Sequence, residues 1–383
     1  MYNQWCKGDL SMKYIPNNSK LYNNKFSQRN KFFCFSSTTL IFSLVIYISS
    51  RISVELADFF SEYVGAAVRF VLAGVTSVFP FSLAESLLIL LLPLTIIFLF
   101  FAPDVNEGKY MTKNSYIMLG CLFLLLSVYF SAFAPCYFRT PVEEELSLDR
   151  DSITKDDVYS AAVIISKELE GLESNIVSDH TGKTLIPHSY SELVYKLNNA
   201  YEKATKKYDF LSDFYSYPKP LAISGLMPYT RISGFYTFFS GEANVSTAYP
   251  DFMLPYTMAH EMAHQRGIAK EDEANFIAFL VCMESDDSYI RYSGYTEVLN
   301  YLLDALYTAD YNLYKKVYDD TPRIYKKEYS AYIDFIKDTT AKSVSNVTET
   351  INNTMLQSQG QSAGSDSYNL VTELAAAYYK KEK

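Results

Sequence analysis

His260, Glu261 and His264 stand in the order H-E-x-x-H within Met258-Ala259-His260-Glu261-Met262-Ala263-His264-Gln265-Arg266-Gly267. On an α-helix, residues four apart share a face, so both imidazoles can offer ring nitrogens to one Zn2+ at about 2.0 to 2.1 Å. Glu261 lies about 100° further round the same turn, beside the metal without having to bind it. There its carboxylate can take a proton from an attacking water. The chemistry this spacing points to is metal-assisted hydrolysis with a glutamate general base. The chain has only four histidines in 383 residues, so an accidental match is rare.

A third ligand must come from beyond the second histidine. A continuous helix would carry residue 271 about 16 Å past His260, out of bonding reach. The chain must therefore reverse, and Gly267 stands where a left-handed residue would end the helix, with Arg266 before it suited to the negative end of the helix dipole. The run Glu271-Asp272-Glu273-Ala274-Asn275-Phe276-Ile277-Ala278-Phe279-Leu280-Val281-Cys282 then reads as a second helix packed on the first. Glu271 and Asn275 share a face at four-residue spacing, so one can ligate zinc while the other hydrogen-bonds a ligand histidine. Glu273 points about 200° away from Glu271. Glu271 is the expected third ligand, with Glu273 as the alternative, and Asn275 is the expected support.

The stretch H-E-M-A-H-Q-R-G-I-A-K-E-D-E-A-N-F, with Gly241-Glu242-Ala243-Asn244-Val245 upstream and three apolar segments near the N-terminus, resembles an uncharacterised family of bacterial membrane proteins with a zinc-metallopeptidase-like domain. The likeness runs from the first apolar segment to the C-terminal Tyr368–Tyr379 stretch. More distantly, Glu271-x-x-Ala274-Asn275 is similar to the Glu-x-x-Ala-Asp/Asn element of gluzincin peptidases. That resemblance implies the first Glu as third zinc ligand. Position 275 is Asn where many gluzincins have Asp, which keeps a hydrogen bond to a ligand histidine but not the charge.

The elements that must carry this site begin in the membrane. Residues 1–31 form a basic arm, expected to be cytoplasmic, and 32–135 form a membrane region. Uncharged runs over 32–50, 86–102 and 115–135 are of spanning length, with Pro93 tolerable inside the second. Between the first two, 54–78 places Leu56, Phe59, Phe60, Tyr63, Val64, Ala67, Val71 and Leu72 on one helical face and Asp58, Glu62 and Arg69 on another. That pattern predicts an amphipathic helix lying in the interface, because these charges are costly in lipid. A fourth span is the alternative, and it would reverse the topology. Lys109 and Lys113 favour an inward-facing connection, so three spans put the rest of the chain outside the cytoplasm. The expected setting is a multi-pass protein of the cell membrane.

Residues 141–383 are expected to form the catalytic domain. The expected fold class is α+β: N-terminal transmembrane helices followed by a mostly helical zincin-like domain with a small sheet. Thr154 and Asp157 resemble a capping box, and Val194, Leu197, Tyr201, Ala204 and Tyr208 form an apolar helical stripe. From Pro218 to Ser246 short β-prone runs alternate with glycine. Asn244, Val245, Ser246 and Thr247 are expected to form an edge strand able to pair with extended substrate backbone. A transition-state donor is sought among His180, His188, Arg231 and Tyr292. Residues 338–366 have the composition of a linker.

Net charge of −9 with no basic stripe argues against a nucleic-acid partner, and five scattered cysteines give no disulfide framework. No repeat, phosphate loop or serine-hydrolase elbow is present. The sequence thus leads to a membrane-anchored zinc metallopeptidase with a peptide or protein substrate and the lipid bilayer as partner. A zinc-binding receptor or regulator built on a peptidase-like fold is the alternative. Oligomeric state and substrate identity are not legible.

Overall fold

The computed structural model describes residues 19–101, 110–339 and 370–382, with Thr350, Asn353, Thr354 and Gln357 besides. Side chains are described from residue 31, apart from 92 and 95–115. Residues 1–18 of the basic arm and most of the linker expected over 338–366 lie outside the described residues.

Helix α1 spans Ser19–Ile52, and Ser53 caps α2, Val54–Phe59, by accepting the Leu56 amide. A wide π turn, Phe60–Gly65, leads into α3, Ala66–Ser77; α4 spans Leu83–Phe101 with Pro93 inside, and α5 spans Tyr110–Val128. Three stretches are long and apolar enough to cross a membrane by length and composition: Lys31–Ile52, Val54–Ser77 and Tyr116–Tyr137. They support a membrane protein. The first and third correspond to the runs expected over 32–50 and 115–135; the middle one covers the expected interfacial helix, 54–78. The run expected over 86–102 is α4, and residue 102 lies outside the described residues.

Helices α1 and α5 pack side by side and run parallel. Phe33 meets Tyr116 and Phe123 at ring distances of 5.2 and 5.6 Å, and Tyr47 meets Phe130 at 5.1 Å, so partner numbers rise together. The α2–α3 segment packs instead on the end of the third stretch and the loop after it, and through α3 on β3 of the large domain. Arg69, 2% exposed, donates to the carbonyls of Ser61 and Ala132 and to Cys136 Sγ. Asp58 takes the amide and hydroxyl of Thr140, each at 2.7 Å, and Glu62 pairs with Arg139 at 3.3 Å. Asp58, Glu62 and Arg69 therefore each have protein partners, which offsets much of the penalty of removing them from water.

The large domain contains one-turn α6 (Val142–Glu145), α7 (Lys155–Leu172), α8 (Tyr190–Lys207), the strands β1 (Lys219–Pro220), β2 (Gly234–Thr237) and β3 (Glu242–Val245), then α9 (Leu254–Gln265), α10 (Glu271–Met283), α11 (Ser288–Ala309), α12 (Tyr311–Asp320), α13 (Arg323–Thr339) and a C-terminal helix, Val371–Lys381. The Thr154–Asp157 capping box opens α7 as expected, and a second one, Ser189 with Glu192, opens α8. The stripe Val194, Leu197, Tyr201, Ala204, Tyr208 is buried, so the helical period sets the core face of α8.

The sheet order is β1-β3-β2, with β1 parallel and β2 antiparallel to β3. This corrects the edge strand expected at Asn244 to Thr247. Asn244 and Val245 pair on both sides, with Lys219 and Pro220 across one flank and Phe235 and Gly234 across the other. Ser246 bonds Ser233, and Thr247 bonds the Ser224 hydroxyl. The edge is β2. A two-residue strand at Lys219–Pro220 has too little alternation to be read from sequence, so β3 looked unpaired on that side.

Candidate metal centre

All twelve residues of α9 are buried, enclosed by β2 and β3 on one side and by α8, α10 and α11 on the others. Pro255 in its first turn needs no amide partner, and Ser293 Oγ accepts the Tyr256 amide at 3.0 Å, satisfying one orphan donor. At the other end, Arg266 lies over Tyr201, 3.8 Å from the ring centroid, and returns a hydrogen bond to the Met262 carbonyl. Gly267 then turns the chain with φ +92°. Tyr256 Oη donates to the Asn275 carbonyl at 2.9 Å, fastening α10 antiparallel against α9.

This turn brings His260, His264 and Glu271 together, with ligand-type atoms all within 4.8 Å of one another. Glu271 Oε2 lies 3.2 Å from His260 Nε2 and 3.4 Å from His264 Nε2. Tetrahedral coordination with bonds of about 2.0 to 2.1 Å separates neighbouring ligands by about 3.3 to 3.4 Å, so these spacings suit a zinc ion. The two imidazoles stand perpendicular at 4.6 Å. His264 Nδ1 donates to the Ile268 carbonyl at 2.7 Å, which leaves Nε2 facing the centre as a lone-pair donor. The expected support from Asn275 is not made in this geometry: neither its Nδ2 nor His260 Nδ1 has a hydrogen-bond partner within the protein.

Three consecutive acidic residues at the start of α10 diverge. Glu271 faces the histidines; Asp272 takes Arg150 Nη1 at 3.0 Å; Glu273 Oε1 takes Lys270 Nζ at 3.0 Å and the Val142 amide at 3.3 Å. Glu273, the alternative ligand, is thus occupied away from the two histidines. Arg150 also pairs with Glu143 and Glu373, tying the first turn of α10 to the C-terminal helix. Nothing in the spacing around Arg150 announces that role.

The electrostatics follow from burial. His260 is held below the usual histidine value by burial, against the pull of Glu271. His264 goes the other way: burial opposes its charge, but Glu271 outweighs it and pushes it up to about 9. Burial also opposes the Glu271 charge, yet the two histidines hold its carboxyl well below the carboxylate range. Glu271 and His264 therefore share an ion pair within the protein alone, and a bound cation would displace the proton. Glu261 is pushed up to about 8 by burial, and its Oε2 has no hydrogen-bond partner.

Glu261 meets β2 at a residue the sequence did not single out. A Cβ at Gly234 would lie 2.6 Å from Glu261 Oε1 and 2.8 Å from the Asn244 carbonyl. Only glycine lets this strand approach the carboxylate. Gly234→Ala is expected to keep metal binding and to lower kcat by on the order of 10²-fold through displacement of Glu261. Steady-state kinetics beside metal content check this, and an unchanged kcat would mean that the carboxylate position is not critical.

The four positions considered for a transition-state donor are dispersed. His188 pairs with Asp287 at 2.8 Å, Tyr292 is buried in α11, Arg231 lies beside Tyr249 and Tyr332, and His180 is exposed. Cys136 and Cys282 are separate buried thiols.

The family described as a protein of unknown function (DUF3810) matches residues 60–376, and the chain belongs to that family. No curated protein and no solved structure matches the chain.

Proposed function

We propose that the protein is a membrane-anchored, zinc-dependent metallopeptidase. The observation that carries this reading is the convergence of His260, His264 and Glu271, with Glu271 Oε2 3.2 and 3.4 Å from the two Nε2 atoms and Glu261 on the position after His260 in the same helix. His260, His264 and Glu271 would hold the metal, and the Ile268 carbonyl would orient His264. Zinc, when bound, supplies Lewis-acid polarisation of a water and of the scissile carbonyl. Glu261 Oε2 takes the proton from the attacking water and passes it to the leaving amine nitrogen. The outer edge of β2, Gly234–Thr237, beside Glu261, offers backbone groups to an extended peptide.

The helix packing supports the topology. Parallel passage of α1 and α5 requires an odd number of crossings between them, so one of 54–77 and α4 crosses and the other does not. Arg69 against Gly267 and Leu72 against Gly241 set α3 against the domain, which favours α4 as the return crossing. The domain then lies on the opposite side from the basic arm, outside the cytoplasm by the positive-inside rule. The test is hydrolysis of a quenched-fluorescence peptide library by the full chain in lipid vesicles, with Glu261→Gln as control. Hydrolysis lost in the control supports the reading; zinc binding without hydrolysis would favour the sensor alternative.

A further inference from the structure

We propose that the 224–230 turn and the turn joining α3 to α4 form a lip seated in the bilayer surface beside the metal centre. The peptide taken by the site is then a juxtamembrane stretch of a membrane-anchored polypeptide. The substrate half of this proposal rests on the metallopeptidase reading; the lip does not.

The 224–230 turn and its flank expose apolar side chains: Leu226 is 64% exposed, Tyr229 43% and Ile223 39%. In the neighbouring turn, Val78 and Phe81 are 78% and 48% exposed. These two surfaces are fixed to each other by polar groups. Glu85, in the first turn of α4, takes the amides of Ala222 at 2.9 Å and Ile223 at 2.8 Å. Lys219, 1% exposed, donates Nζ to the carbonyls of Thr76 and Phe79. From the sheet, Glu242, also 1% exposed, accepts the Leu83 and Ala84 amides at 2.9 Å each, occupying the N-terminus of α4. The start of α4 and the 219–224 segment therefore move as one body.

That body continues into lipid-facing surface, since Leu87, Leu88, Leu90 and Leu91 of α4 are all at least half exposed. An apolar patch continuous with a membrane-crossing helix has the bilayer as its partner, and Tyr229, with an apolar ring and a polar tip, suits the headgroup level. The same body reaches the metal centre. Ser224 bonds Ser246 and Thr247 at the end of β3; Val245, next along, pairs with Gly234, which abuts Glu261. The general base is thus within a few residues of the lip, and a chain leaving the bilayer passes the site before it is free in water.

The test uses the full chain with its single tryptophan replaced, Trp5→Phe, reconstituted in phosphatidylcholine vesicles with and without bromine on the acyl chains near the headgroup. Leu226→Trp, and separately Tyr229→Trp, is expected to lose most of its fluorescence in the brominated vesicles, whereas Tyr307→Trp, exposed on α11, keeps it. Quenching no greater than at Tyr307→Trp for both lip positions overturns the lip. In the same vesicles, a peptide library carrying a palmitoyl anchor is expected to be cleaved at least about tenfold faster than the unanchored library, because confinement raises its effective concentration at the site. Equal rates overturn the substrate assignment while leaving the peptidase reading intact. Hydrolysis of neither library overturns the peptidase reading and the substrate assignment with it, and the quenching result still decides the lip.

Discussion

Glu261→Gln is expected to keep metal at the wild-type level and to lower peptide hydrolysis by about 10²- to 10⁴-fold, the usual contribution of a positioned general base. Glu261 is not among the three groups that converge, so its loss leaves the donor set intact. Glutamine fills the same volume, which matters because the side chain is 3% exposed and wedged against Gly234. What the amide lacks is the ability to take a proton at Oε2, the atom that has no partner in the protein. The comparison of kcat with metal content checks this. Full activity in the variant would remove the proposed mechanism.

Gly267→Ala is expected to destabilise the folded protein by about 2 to 5 kcal/mol, combining a left-handed backbone position with overpacking. At φ +92° an alanine is strained whatever the space, and its Cβ would also lie 2.4 Å from Arg69 Nη2. The position matters beyond stability. The Gly267 amide closes the end of α9 on the His264 carbonyl at 3.0 Å, and the next carbonyl, that of Ile268, fixes the His264 ring. Thermal unfolding of the full chain in detergent is expected to show a marked fall in Tm, with weakened zinc retention. A variant with wild-type Tm and zinc content would show that the turn tolerates a side chain and that Arg69 yields.

How much of this was readable before the structure depends on the range of the interactions. The histidine pair, the reversal at Gly267 and the return of Glu271 follow from spacing within seventeen residues, and the structure brings those groups together as the spacing requires. The α7 capping box and the α8 core face were equally legible, because capping and an amphipathic period are local properties. The centrality of β3 was not, since its second partner is only two residues long. Gly234 carries no signal except being glycine, and its close approach to Glu261 arises from the pairing of β2 with β3.

The docking of 54–85 onto the large domain was the least legible feature. It rests on Glu85, Lys219 and Glu242, each bonded to groups far away in sequence. Charges that looked like the polar face of an interfacial helix proved to be internal fasteners. For the same reason the proposed metal site is best studied in the full chain: residues 54–85 supply contacts that the 141–383 segment alone would lack.

The central claim is that His260, His264 and Glu271 hold zinc. Its most direct test is elemental analysis of the full chain purified in detergent, beside His260→Ala, Glu271→Ala and Glu273→Ala. The structure leads us to expect about one zinc per chain in the wild type and in Glu273→Ala, and little or none in the other two, as three protein ligands and an open position require. A folded wild-type chain without zinc, or zinc that survives both His260→Ala and Glu271→Ala, would contradict the account.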